Sequence, residues 1–319
     1  MSGFPTLDDI RNAARRISPF VHRTPVLSSS AINQMTGAEV VFKCENLQKI
    51  GAFKIRGATN AISCLSDDQI RHGVATHSSG NHAAAVAKAA KSRNVKAYTV
   101  MPSSAPQVKQ EAVAGYGAKI VLCEPTLAAR DEVLKKVLAE TGAVFVHPYD
   151  HVHVIEGQAT AALELMDEVA DLDIVLAPIG GGGLISGTAL AAHEVSPKTK
   201  VIGVEPAGAD DAYRSFRTGR LIPGGRPASI ADGLLAPLSE LTFSIISGHV
   251  HDVVTVSDAL IIQAMRIVWE RMKLVVEPSA AVPLAAILAG SVKITGRKVG
   301  IILTGGNVDL GRLPWMNAK

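Results

Sequence analysis

The chain has 319 residues, 47% of them apolar and 19% charged, with a net charge of +3 spread along the sequence. That is enough for two domains or one large one with a sizeable core, and the lack of a basic stripe or acidic tail argues against nucleic acid and membrane surfaces as partners. Cys44, Cys64 and Cys123 lack metal-ligand spacing, no basic-then-apolar leader opens the sequence and no apolar run reaches transmembrane length, so a cytoplasmic protein with reduced thiols is expected.

Residues 8–17 read as a helix capped by Thr6 or Asp8 and stopped ahead of Pro19. Residues 24–27 form a short extended piece and 40–43 a strand. A turn at Ile50-Gly51-Ala52 leads into a helical pattern over 55–65, so Lys54 stands where a turn becomes a helix, between Phe53 and Ile55. Burial among apolar neighbours disfavours an ammonium, lowers its pKa and frees the amine as a nucleophile. The plainer alternative is a lysine that lays its stem on apolar surface and keeps its charge in water.

A strand over 73–77 runs into Ser78-Ser79-Gly80-Asn81-His82 and an alanine-rich helix ending near residue 91. Strands over 97–101, 119–123 and 143–146 alternate with helices over 107–116 and 127–140. A helix over 157–169, a strand over 174–177, a glycine cluster, a helix over 184–193 and a strand over 200–204 continue the pattern. Residues 207–236 are looser. Helices over 259–272 and 278–288 precede a last strand over 299–303 that ends in Thr304-Gly305-Gly306-Asn307. Such alternation implies parallel sheets, whose ligands sit at the carboxyl ends of the strands.

Three motifs fall at those ends. Gly180-Gly181-Gly182-Gly183, followed by Leu184, exposes backbone N–H groups before a helix, which suits a phosphate; it is neither a P-loop nor a dinucleotide fingerprint. The alternative is a tight turn without chemistry, although each ordered glycine costs about 0.5–1 kcal/mol relative to alanine. Ser78 to His82 suits a carboxylate at a helix start, or simple capping by Ser79 or Asn81. Thr304 puts one hydroxyl at the end of a strand. A candidate Schiff-base lysine, a phosphate cradle, an anion site and a terminal hydroxyl together point to pyridoxal 5'-phosphate.

On these motifs, from about residue 8 to 310, the chain resembles the serine/threonine dehydratase family of fold-type-II pyridoxal phosphate enzymes, and within it the serine racemase and 3-hydroxyaspartate dehydratase subgroup. The resemblance implies an α/β protein with two parallel-sheet, three-layer domains like the tryptophan synthase β chain. Residues 1–68 and 151–319 would form a large cofactor domain, and 69–150 a small mobile one. It further implies a homodimer acting on a small amino acid. Lys54 would carry the cofactor, Phe53 pack beside its ring, Asn81 bond the ring oxygen, Gly180 to Leu184 hold the phosphate and Thr304 face the ring nitrogen. Ser78, Ser79, Asn81 and His82 would bind the substrate carboxylate, with Arg130 approaching from the small domain. Glu205, Asp211 and the Ala209 carbonyl would ligate Mg²⁺, or Ca²⁺ or Mn²⁺.

The activity so implied is loss of water and ammonia from L-serine, L-threonine or a 3-hydroxyaspartate, the last needing a second cation from Arg130 or His82. Ser79, opposite Lys54, leaves a serine or aspartate racemase as the alternative, and a non-catalytic binding protein on the same fold as a more distant one. Several residues depart from the family pattern. Ala52 replaces a serine near the phosphate, Ala84 a glutamine of the mammalian racemases' nucleotide site, Glu156 an alanine, and Pro237 a substrate-side serine. His147, His151 and His153 have no metal-ligand spacing and read as interdomain or surface residues.

Overall fold

A computed structural model describes residues 3–316. Among them ten strands alternate with helices: β1 (Val26–Ser28), β2 (Glu39–Cys44), β3 (Val74–His77), β4 (Ala97–Pro102), β5 (Lys119–Cys123), β6 (Val144–Phe145), β7 (Ile174–Pro178), β8 (Lys200–Pro206), β9 (Asp252–Val256) and β10 (Lys298–Leu303). They form a six-stranded sheet in the order β1-β2-β10-β7-β8-β9 and a four-stranded sheet in the order β5-β4-β3-β6. The smaller sheet is drawn wholly from residues 74–145, and the larger takes strands from both sides of that stretch.

The central strands of the large sheet are near-continuous apolar runs, as burial on both faces requires. Phe42, Leu176, Val204, Ile301 and Leu303 are buried in one core with Ala264 and Met265 of helix Asp258–Ile267 and Ala280 to Ala286 of helix Pro278–Leu288. On the opposite face Ala177 and Ile302 pack with Ile155 and Ala159 of helix Val152–Glu168 and with Leu184 to Ala191 of helix Gly183–Val195. Sheet and two helix layers make the three-layer plan.

Helix Lys54–Ser63 sits between the two sheets. Its Ile55, Ala58 and Ile62 share a core with Ala85, Val86 and Ala89 of helix Asn81–Ser92 and with Val74 and Val146 of the small unit. A Cβ on Gly157 would lie 2.6 Å from the Arg56 carbonyl oxygen, so glycine is what lets helix Val152–Glu168 approach this closely. Arg56 is fully buried; it meets Glu45 and Glu164 at 2.8 Å each, and Lys43, also fully buried, meets Glu164 at 2.8 Å. Burial opposes the guanidinium's charge, but the two carboxylates outweigh it and hold its pKa above the usual range. This network pins the helix that begins at Lys54.

Several expectations need correction. The large sheet is mixed, because β1 runs antiparallel to β2 at its edge; a three-residue strand carries no period from which direction can be read. The helix expected from residue 157 begins at Val152, because His151 Nδ1 accepts the His153 N–H and caps it. The loose region contains helix Asp211–Thr218, and helix Glu240–His249 and β9 follow it. The long helix over 259–272 ends at Ile267 and continues as a π turn, Val268–Met272.

Candidate active site

The carboxyl ends of the strands in both sheets open onto a cavity of about 920 Å³. Lys54 reaches it because the turn before its helix is tied to the end of β10: Phe53 N–H donates to the Thr304 carbonyl at 3.0 Å, and Ala52 bridges Gly305. Lys54 Nζ donates to the Pro148 carbonyl at 2.9 Å and lies 5.2 Å from the centre of the Phe53 ring. No carboxylate is paired with it among the described residues, and burial lowers its pKa to about 8. It is therefore not the solvated lysine of the plainer alternative.

The four glycines follow β7. Gly182 has φ +88°, and helix Gly183–Val195 starts from it with no side-chain cap. A Cβ on Gly181 would lie 2.2 Å from Tyr149 Cδ1, and one on Gly180 would lie 2.9 Å from Leu234 Cα. The loop is thus a backbone cradle walled by Tyr149 and Leu234, with free N–H groups at a thirteen-residue helix N-terminus. Leu184 also lines the cavity.

Across the cavity, helix Asn81–Ser92 starts at Gly80, again with no side-chain cap. Neither Ser79 nor Asn81 does the capping allowed for from sequence. Ser78 Oγ instead accepts the Gly80 N–H at 3.2 Å. Asn81 is held at both ends of its amide: Nδ2 donates to Glu277 Oε1 at 2.8 Å, and Oδ1 accepts from Asn307 Nδ2 at 2.9 Å. Thr304 is 3% exposed and its Oγ1 has no hydrogen-bond partner.

His82 cannot be the second cation. It is 2% exposed, and Nε2 lies 3.1 Å from the Val146 carbonyl, so that nitrogen carries the hydrogen and Nδ1 is an acceptor. Burial, then nearby Lys54, holds its pKa well below the usual value, so the ring is neutral. Arg130, on helix Leu127–Thr141, lines the cavity with a buried Nε that has no partner, and it makes no ion pair among the described residues. Two other cavity cations are paired: Lys109 with Asp232 at 2.5 Å and Arg214 with Asp210 at 2.9 Å. His147 packs edge-on against Tyr149 at 4.6 Å and against His77 at 6.2 Å, behind the cavity wall.

Glu205 is the penultimate residue of β8, and its carboxylate takes the N–H groups of Ala212 (3.2 Å) and Tyr213 (2.7 Å) at the start of helix Asp211–Thr218. Asp211 accepts the Leu238 N–H at 3.2 Å. Burial, with Asp211 close by, pushes Glu205 up to about 8, and burial raises Asp211. Among the described residues no three His, Cys, Asp or Glu side chains gather as a metal centre. The set here is two carboxylates beside the buried Ala209, and the nearby cation, Arg214, is paired with Asp210 instead. Hard oxygen donors short of positive charge fit Mg²⁺ or Ca²⁺ with waters completing the shell.

The cavity fits pyridoxal phosphate on its own chemistry: a desolvated amine, a phosphate-sized backbone cradle, an amide fixed at one edge and an orphaned hydroxyl at another. Sequence reasoning missed Glu277, Tyr149, Lys109 and Asp232. A glutamate inside Val275-Val276-Glu277-Pro278, an otherwise apolar stretch entering a helix, was the signal for the first. The rest are single polar residues in ordinary loops and helices.

The family model described as pyridoxal-phosphate dependent enzyme matches residues 17–305. A β-hydroxyaspartate dehydratase from Paracoccus denitrificans is 51% identical over 98% of this chain and 99% of its own length. An L-threo-3-hydroxyaspartate ammonia-lyase from Saccharomyces cerevisiae is 48% identical over 97% of this chain and 95% of its own. The solved structure of maize serine racemase superposes with a TM-score of 0.94 at 48% identity, covering 96% of this chain and 94% of that one.

Proposed function

Because the chain belongs to the pyridoxal-phosphate dependent enzyme family, we propose that it removes water and ammonia from a β-hydroxy amino acid, with a 3-hydroxyaspartate as preferred substrate. One observation carries this reading: a desolvated lysine, Lys54, and an unpaired guanidinium, Arg130, line the same cavity. An amino acid with a single carboxylate leaves Arg130 without a partner; a dicarboxylic one gives it a charge-assisted, two-toothed bond. The hydroxyaspartate activities of two relatives support the same choice.

Bound pyridoxal phosphate supplies an electron sink that acidifies the hydrogen on the substrate's α-carbon. Lys54 would hold the cofactor, and its desolvated Nζ is the group that would accept the substrate's α-proton. The uncapped helix start at Ser78 to Asn81 binds the α-carboxylate, and Arg130 the distal one. Gly180 to Gly183 receive the phosphate, and Tyr149 closes that wall against water. Thr304 would offer the ring nitrogen a hydroxyl, not a carboxylate, and so a weaker hold on its protonated form, which favours quick expulsion of the β-hydroxyl over transamination. Loss of the α-proton and of the β-hydroxyl as water leaves an enamine, which water converts to a keto acid and ammonia. Glu205, Asp211 and the Ala209 carbonyl would hold a divalent cation, Mg²⁺ or Ca²⁺, whose charge would offset the two carboxylates at the turn between β8 and the next helix.

A racemase is the second reading, because Ser79 lines the cavity with its hydroxyl unbonded among the described residues. Pro237, also in the lining, offers substrate no hydrogen-bond donor and weighs toward elimination. The test is keto acid and ammonia release from L- and D-serine, L-threonine and the threo and erythro 3-hydroxyaspartates, with Lys54→Ala as control. Highest kcat/KM on a 3-hydroxyaspartate is expected. L-serine as the best substrate would contradict the role given to Arg130.

A further inference from the structure

Glu277 is a cavity carboxyl that none of these roles uses. It stands just before helix Pro278–Leu288, is 3% exposed and lines the cavity with Asn81 and Thr304. Its Oε1 accepts from Asn81 Nδ2 at 2.8 Å, while Oε2 is buried with no partner. Asn307, which holds the other end of the Asn81 amide, is itself fixed by donating to the Ile50 carbonyl at 2.8 Å. Asn81 is thus clamped, and Glu277 is half of the clamp.

An ionised carboxylate with an orphaned oxygen in a dry site costs several kcal/mol, whereas a protonated one carries a hydrogen to donate. The charged groups around Glu277 do not relieve that cost. Asp232, from the 3-10 turn Asp232–Leu234, and Lys109, from helix Gln107–Gly115, face it but are paired with each other. Lys54 lies elsewhere in the same cavity lining, with its amine on the Pro148 carbonyl. Burial first, then Asp232, pushes Glu277 up to about 7, against the pull of Lys109, Asn81 and the Asn307 backbone N–H.

Resting on the cofactor assignment above, we propose that Glu277 is a positioning residue that carries a proton in the loaded protein, fixing Asn81 with Oε1 and turning an Oε2–H donor toward the ring edge of the cofactor. The ring oxygen assigned to Asn81 is anionic when the cofactor is held by a lysine, so an ionised Glu277 would oppose it. The proton comes from solvent as the cofactor binds: Oε2 gains an O–H bond as a hydronium ion or buffer acid loses one, and no carbon–oxygen bond of Glu277 changes.

The test titrates the visible absorbance of the loaded wild-type and Glu277→Gln proteins from about pH 5.5 to 9, the range in which a raised carboxyl ionises. The glutamine variant keeps shape and hydrogen bonding but cannot ionise. A transition at or above about pH 7 in wild type, absent or moved by more than about one pH unit in the variant, is expected. Superimposable curves would overturn the proposal. Difference infrared spectroscopy on wild type needs no variant: a protonated-carboxyl stretch gained or shifted on loading is expected, and its absence overturns the proposal. Failure of the apoprotein to take up cofactor would instead sink the family-based reading beneath it.

Discussion

Lys54 differs from an ordinary lysine through one physical cause, partial loss of solvent at the cavity wall without a compensating carboxylate. Its pKa is lowered to about 8, so the neutral amine is substantially populated near pH 8, where a solvated lysine is almost wholly charged. Capture of pyridoxal phosphate by the cofactor-free protein, followed by absorbance, should speed up as pH rises toward 8 and level off above it. A rate still climbing toward pH 10.5, the ordinary lysine value, would mean that the amine is solvated. Arg130 acts by the opposite logic, as a charge kept available by having no partner. Arg130→Gln removes a charge-assisted bond worth about 1.5–3 kcal/mol. KM for 3-hydroxyaspartate should rise about 10- to 100-fold while kinetics on L-serine move little. An equal loss on both substrates would show Arg130 to be structural.

At the scale of elements, the site is a set of strand ends and the helix starts that follow them. The loop after β7 shows why the glycines are there: a side chain on Gly181 would enter the Tyr149 ring. Gly181→Ala should weaken cofactor binding by about 1–3 kcal/mol, read by equilibrium dialysis, with little loss of fold because the clash lies at the cavity wall. Retained affinity would mean that the phosphate sits elsewhere. The turn from β8 into helix Asp211–Thr218 carries two buried carboxylates whose nearby cation, Arg214, is paired with Asp210. Chelation should lower the melting temperature and activity together, and Mg²⁺ should restore both; an unchanged melting curve would argue against a resident cation. Motifs on backbone, such as the glycine run and Ser78 to His82, were legible because they need special residues in consecutive order. The second cation was misjudged at His82, since burial and the Val146 carbonyl, both tertiary, decide its charge. Glu277 escaped notice because its partners Asn81 and Asn307 lie far away in sequence.

At the scale of the whole molecule, two sheets face each other across one cavity and share the helix that begins at Lys54. Strand–helix alternation made the architecture readable, while the antiparallel edge β1 and the loop-embedded helix Asp211–Thr218 carried too little period to be seen. Polar links span the cleft at Lys54–Pro148, Asn81–Glu277, Asn81–Asn307 and Lys109–Asp232. Elimination rather than racemisation is the central claim, and one tube decides it most directly: L-threo-3-hydroxyaspartate or L-serine in deuterium oxide, followed by proton NMR. Keto acid and ammonia should form faster than any α-deuterated amino acid of inverted configuration. Accumulation of the deuterated enantiomer ahead of ammonia would contradict the account and make Ser79, which lines the same cavity as Lys54, the residue on which the chemistry turns.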